Sequence, residues 1–105
     1  MFEVYKIKKY FYNNNISLNN DDDVIDYILS YNLMGAVKKV LKHVNNFFNG
    51  GDVVLDVDEN YLWIIVFTNI DGCSAAGKID ALEELLINEC GDDFLNHILI
   101  SPEWK

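Results

Sequence analysis

Apolar positions recur along the chain at more than one spacing, and each spacing predicts a different element. From Val24 onward, Ile25, Ile28 and Leu29 fall on one face of a helix, and the stripe resumes after Asn32 to Gly35 with Val37, Val40, Leu41, Val44 and Phe48. The region reads as two helices or one kinked helix, ended by Gly50 and Gly51. Lys38, Lys39 and Lys42 lie on the opposite side of the second piece and read as a solvated face. Residues 53–58 alternate instead. Val53, Leu55 and Val57 share one face and Val54, Asp56 and Asp58 the other, the pattern of a strand entering a hairpin at Asp58, Glu59 and Asn60. The next run, Tyr61 to Thr68, is apolar on both faces, so this strand is either covered on both sides or covered on one and docked to a partner on the other.

Helical spacing returns with Ala75, Ile79, Leu82, Leu86 and Cys90, with Gly91 as the stop. His97 to Ile100 reads as a last strand, parallel to the preceding one through a right-handed helical crossover. At the start of the chain, Val4, Ile7 and Phe11 fit a helical stripe, while Phe2 with Val4, or Tyr5 with Ile7, fit a strand face; residues 2–12 are assigned to a helix. Residues 13–20, with five Asn and one Ser, read as a loop, because short polar side chains compete with the backbone for hydrogen bonds. Asp21 to Asp23 then supply an N-cap and negative charge at a helix start. The expected fold is α+β: N-terminal helices followed by a β-β-α-β unit, forming a small mixed sheet packed against helices in one domain spanning residues 1–105.

Composition narrows the function classes. The chain has 105 residues, 8 Lys, no Arg and 17 Asp plus Glu, a formal net charge of −9, with 50% hydrophobic residues. That is the composition of one soluble, acidic, folded domain, too apolar to stay disordered. Residues 1–50 balance six Lys against five acids, whereas residues 51–105 carry twelve acids against Lys78 and Lys105. Such a surface repels a nucleic-acid backbone, and no Arg is available for bidentate phosphate or guanine contacts. It speeds encounter with a basic protein, the expected partner. The first residues lack the apolar core of a signal peptide, and Tyr61 to Phe67 is far shorter than a bilayer span, so a cytoplasmic protein away from the membrane is expected. Cys73 and Cys90 flank a predicted continuous helix that would hold them about 25 Å apart, as free thiols in a reducing compartment. Thirteen Asn with no Arg and no Gln resemble an AT-rich coding bias of bacterial or phage type.

Three patterns invite a catalytic reading. Gly72-Cys73-Ser74-Ala75-Ala76-Gly77-Lys78 matches G-x-x-x-x-G-K between an apolar strand and a helix, and so resembles the P-loop of nucleotide hydrolases. However, Ile79 stands where Mg²⁺ needs a hydroxyl, and no downstream strand ends in a metal-binding Asp. The plainer reading makes Asp71-Gly72 a turn, Ser74 a helix cap and Gly77 a point of close packing. Asp56 and Asp58 share a strand face and could reach one cation, against the default of a solvated hairpin end. Cys73 or Cys90 could pair with His43 or His97 as a nucleophile, but no local pattern supports a pairing, and neither histidine has ligands at metal spacing. No enzyme, cofactor, metal site or small-molecule substrate is therefore expected.

What remains is an acidic surface with aromatic residues. Asp56, Asp58, Glu59 and Tyr61 come from the hairpin, Asp80, Glu83 and Glu84 from the following helix, and Asp92, Asp93 and Trp104 from the C-terminal stretch. Protein interfaces concentrate energy in Tyr and Trp anchors while charges steer the approach. In size, acidity and composition, rather than in any motif, the chain resembles the cytoplasmic immunity proteins that neutralise toxins of contact-dependent growth inhibition and related systems. That resemblance implies a one-to-one complex with a basic toxin domain, often an RNase or DNase, whose cleft the carboxylates occlude. The alternatives are a phage nucleic-acid mimic that blocks a restriction or CRISPR nuclease, and a small enzyme using a metal at Asp56 and Asp58 or a nucleotide at residues 72–78.

Overall fold

The computed structural model describes residues 2–48, 52–91 and 96–104. Four helices, α1 (Phe2–Asn13), α2 (Asp21–Ser30), α3 (Met34–Phe48) and α4 (Gly72–Cys90), accompany four strands, β1 (Ile16–Leu18), β2 (Val53–Val57), β3 (Leu62–Thr68) and β4 (Ile98–Trp104). The strands form one mixed sheet in the order β1-β2-β3-β4. β2 and β3 make the antiparallel hairpin, and β3 and β4 run parallel on either side of α4. The α+β class and the β-β-α-β order expected from the spacing are both present. The proposed stop at Gly50 and Gly51 lies outside the described residues, as do Asp92 and Asp93.

Two local expectations need correction. The stretch 13–20 is not all loop: Ile16, Ser17 and Leu18 pair in parallel with Val53, Val54 and Leu55 at the sheet edge. Three residues are too few for a periodic signal, and the strand they pair with lies far along the chain. The asparagines around it turn the backbone, since Asn15 and Asn20 both have φ 59°, a left-handed conformation that Asn tolerates better than most residues. The N-cap of α2 is Asn20 rather than an aspartate, and no side chain caps it. Asp21, Asp22 and Asp23 occupy the first turn, where their charge favours the helix dipole.

The core lies between the sheet and the helices. Ile7 and Phe11 of α1, Val24, Ile25 and Ile28 of α2, Val37, Val40 and Val44 of α3, and Ile79, Leu82 and Leu86 of α4 join a single buried cluster. The strands contribute only alternate residues to it: Val53 and Leu55, then Leu62, Ile64 and Val66, then Ile98 and Ile100. Side chains alternate across a sheet, so all four helices cover the same face. α3 and α4 are tied across this layer by His43 Nε2 and Glu89 Oε2, 2.9 Å apart, and α1 and α3 by the Lys38 ammonium 4.9 Å above the Tyr10 ring. Leu62 N–H donates to His97 O, so the odd-numbered residues of β4 form the ladder to β3. Pro102 therefore faces the open edge, where its missing N–H costs no hydrogen bond.

Candidate protein interface

The hairpin end is organised by one carboxylate. Asp58 Oδ1 accepts hydrogen bonds from the Asn60 and Tyr61 amides at 2.8 Å each, and Oδ2 accepts from the Trp63 indole at 2.8 Å. The turn closes through Asp58 N–H to Tyr61 O at 3.1 Å. Charge-assisted bonds of this kind favour the ionised form, so Asp58 titrates below the usual aspartate range, chiefly through the indole N–H and then the two amides. Asp56 accepts from its neighbouring Val57 amide at 2.8 Å and from the Asn19 side chain at 3.1 Å. Both carboxylates offered as a cation pair thus have hydrogen-bond partners of their own, and no cluster of three or more metal-ligating side chains exists among the described residues.

Beside the hairpin, α2 completes an open notch of about 550 Å³. Four carboxylates line it, Asp23, Asp26, Asp58 and Glu59, together with Tyr27 and Tyr31 and no basic side chain. Tyr27 donates its hydroxyl to Asn60 O at 2.8 Å, which fastens α2 to the hairpin. Its ring lies 4.8 Å from Tyr31, and Tyr31 in turn lies 4.3 Å from the His97 ring. Burial, and then the neighbouring Tyr31, raise the Tyr27 hydroxyl above its ordinary value, so it serves as a neutral donor. Sequence reasoning missed this contribution of α2. Asp23 is exposed as a helix-start residue would be, and only the tertiary fold brings it opposite Glu59.

The second sheet face has no helix on it among the described residues. Its rows follow from the register: Asp56, Trp63 and Leu99 lie side by side, then Val54, Ile65 and Ser101, then Phe67 beside Glu103. Val54, Trp63, Ile65, Phe67 and Leu99 are all half-buried and all absent from the core cluster. Of the two options for the doubly apolar β3, the described structure therefore has one covered face and one open face. Every described lysine is on a helix, Lys6, Lys8 and Lys9 on α1, Lys38, Lys39 and Lys42 on α3, and Lys78 on α4. The strands and the hairpin carry Asp56, Asp58, Glu59 and Glu103 and no cation.

Comparison with family models, curated proteins and solved structures finds no significant match. Placement of the expected surface residues therefore rests on geometry. Asp56, Asp58, Glu59 and Tyr61 come together at the hairpin, joined there by Trp63, which was not among the expected residues. Asp80 and Glu84 are exposed on α4, away from its buried stripe of Ile79, Leu82 and Leu86, so they lie on the outer surface of the helical layer. Glu83 is half-buried, and its carboxyl is pushed up by burial first and by Asp80 second. Trp104 pairs with Thr68 at the far end of β3, about 20 Å from the hairpin at the rise of a strand, and it is 68% exposed. The single acidic surface read from the sequence is thus two surfaces, one at the hairpin and one on α4, with Trp104 apart from the hairpin set.

The phosphate-loop pattern takes an equally definite form. α4 begins at Gly72, so residues 72–78 are helical and do not form a loop that could cradle phosphate. The cap is Asp71 and not Ser74: Asp71 Oδ1 accepts from Ser74 N–H at 3.0 Å and Oδ2 from the Ser74 hydroxyl at 2.9 Å. The Ser74 amide and hydroxyl hold the Asp71 carboxyl below the usual range. Gly77 is exposed and a Cβ there would touch nothing, so close packing does not explain it. Cys73 and Cys90 are free thiols on α4.

Proposed function

We propose that this chain is a cytoplasmic immunity protein, an antitoxin of the contact-dependent growth inhibition type. It binds a basic toxin domain one to one and neutralises it by covering a nuclease cleft with carboxylates. One observation carries the reading: the described lysines all sit on the helices, while the hairpin and its neighbouring notch gather Asp23, Asp26, Asp58 and Glu59 without a cation. Opposed to a basic cleft, these carboxylates take the positions of substrate phosphates and steer association. Tyr27 and Tyr31 add aromatic area beside them, as interface anchors do. The localisation accords with the absence, among the described residues, of any helix long and apolar enough to cross a membrane.

The experiment is affinity capture from native-host lysate with the tagged chain as bait, followed by a salt series and mass spectrometry. The expected result is one stoichiometric basic toxin domain, released as salt rises because screening weakens steering between exposed charges. Retention of a large defence nuclease instead would move the reading to nucleic-acid mimicry. An empty bait at low salt, from cells shown to express the toxin, would end the immunity reading. Reversal of Asp26 and Glu59 to Lys should then slow association with the captured domain without unfolding the chain, because neither residue wires the hairpin as Asp58 does.

A further inference from the structure

We infer that the open sheet face is the docking seat for the partner, and that the partner segment seated there has an apolar centre flanked by Lys or Arg. The inference rests on the basic-partner reading for the charge of the occupant, and on the sheet for the place. Val54, Trp63, Ile65, Phe67 and Leu99 form a contiguous apolar centre across β2, β3 and β4. At ordinary strand spacing and rise, that centre covers on the order of 200 Å². A stable interface buries about 800 Å² on each partner, so the contact must extend beyond it. Along the sheet it then meets Asp56, Asp58 and Glu59 at the hairpin end and Glu103 beside Phe67 at the other.

The rim selects the occupant. A second copy of this chain would set carboxylates against carboxylates wherever the two rims met, which is unfavourable in a two-fold contact. A segment with cations on either side of an apolar centre pairs with both ends of the face. Trp63 is prepared for such a contact. Its indole N–H is already bonded to Asp58 Oδ2 at 2.8 Å, so docking leaves no unpaired donor. The Tyr61 ring stands edge-on at 6.4 Å and helps hold the indole in place, which lowers the ordering entropy lost on binding.

The test selects random phage-displayed peptides on the immobilised full chain and measures the winners against variants by calorimetry. The expected pool has Arg or Lys on both sides of aliphatic or aromatic residues. Ile65→Ser and Phe67→Ser should each weaken the winners roughly tenfold or more, as loss of a central anchor does. The double variant Asp80→Ser with Glu84→Ser on α4 should leave them unchanged. Thermal melts qualify each variant as folded, and Leu99→Ser replaces either serine variant that fails. Basic peptides that ignore the sheet variants but respond to the α4 variant would overturn the docking seat while leaving the basic-partner reading intact. Cation-free peptides that respond to Ile65→Ser would overturn the basic rim, and with it the partner chemistry. A stable dimer by sedimentation at about 0.5 M salt, where surface charges are screened, would assign the face to a second copy and overturn the inference.

Discussion

The two faces of β3 differ little in apolarity and greatly in what surrounds them. Leu62, Ile64 and Val66 point into the helical layer and are fully buried, while Trp63, Ile65 and Phe67, their immediate neighbours, point the other way and are half-buried. Hydrophobicity therefore does not decide which face of a strand is covered; the helices do. In this chain α1 to α4 all contribute to one buried cluster, so a single layer supplies the folding core and the larger aromatic residues of the hairpin stay outside it. Cations follow the same division: every described lysine is on a helix, whereas carboxylates occur on both the helices and the strands. One face supports the fold, and the other, open among the described residues, is the docking seat inferred above.

The strongest way to break this comparison is to truncate matched residues on the two faces. Ile64→Ala should cost about 2 to 5 kcal/mol by chemical denaturation, because it removes a fully buried side chain and leaves a cavity. Its neighbour Ile65→Ala should cost less, about 1 kcal/mol, because that side chain is only half-buried and its loss leaves no enclosed cavity. Equal losses would mean that the second face is also covered. A smaller effect is expected at the hairpin. Asp58 is held in its charged form by folding, so its contribution is fully present above the ordinary aspartate value and is lost as pH falls through the lower native one. Trp63 fluorescence should report that loss as an acid transition, and Asp58→Asn should abolish the transition and lower the melting temperature by several degrees.

Changes in the helical layer should be smaller and should leave the recognition face untouched. Gly77→Ala should stabilise the fold by about 0.5 to 1 kcal/mol, since it places a better helix former where nothing obstructs the added methyl. Peptide binding should not change. Glu83→Gln should raise the melting temperature slightly at neutral pH, because burial opposes the charged carboxylate; the gain should vanish in acid, where Glu83 itself is protonated. For Glu89 the sign is reversed. Its hydrogen bond to His43 depresses the carboxyl, so that contribution is complete above the ordinary glutamate value and fades below it, and His43→Ala should bring the Glu89 titration, followed by NMR, back toward that value.

Periodicity alone determined a good deal of this molecule. The stripes through Val37, Val40, Leu41 and Val44 and through Ile79, Leu82 and Leu86 predict helices at the right places, because a 3.6-residue period leaves few other ways to bury one face. Alternation in Val53 to Val57 and the polar turn after it predict the hairpin, and the doubly apolar β3 already reduces its surroundings to two possibilities. The choice between them needed the tertiary structure, because which face the helices cover depends on chain path and not on β3 itself. The same holds for β1, whose three residues become a strand only through pairing with β2. It holds for the candidate interface as well. Asp23 and Asp26 read as ordinary helix surface until α2 packs beside the hairpin, whereas Asp80 and Glu84, as acidic as any residue in the sequence, are set by α4 on the far side of the helical layer. Charge can be counted along a chain, but which charges share a surface is decided by packing.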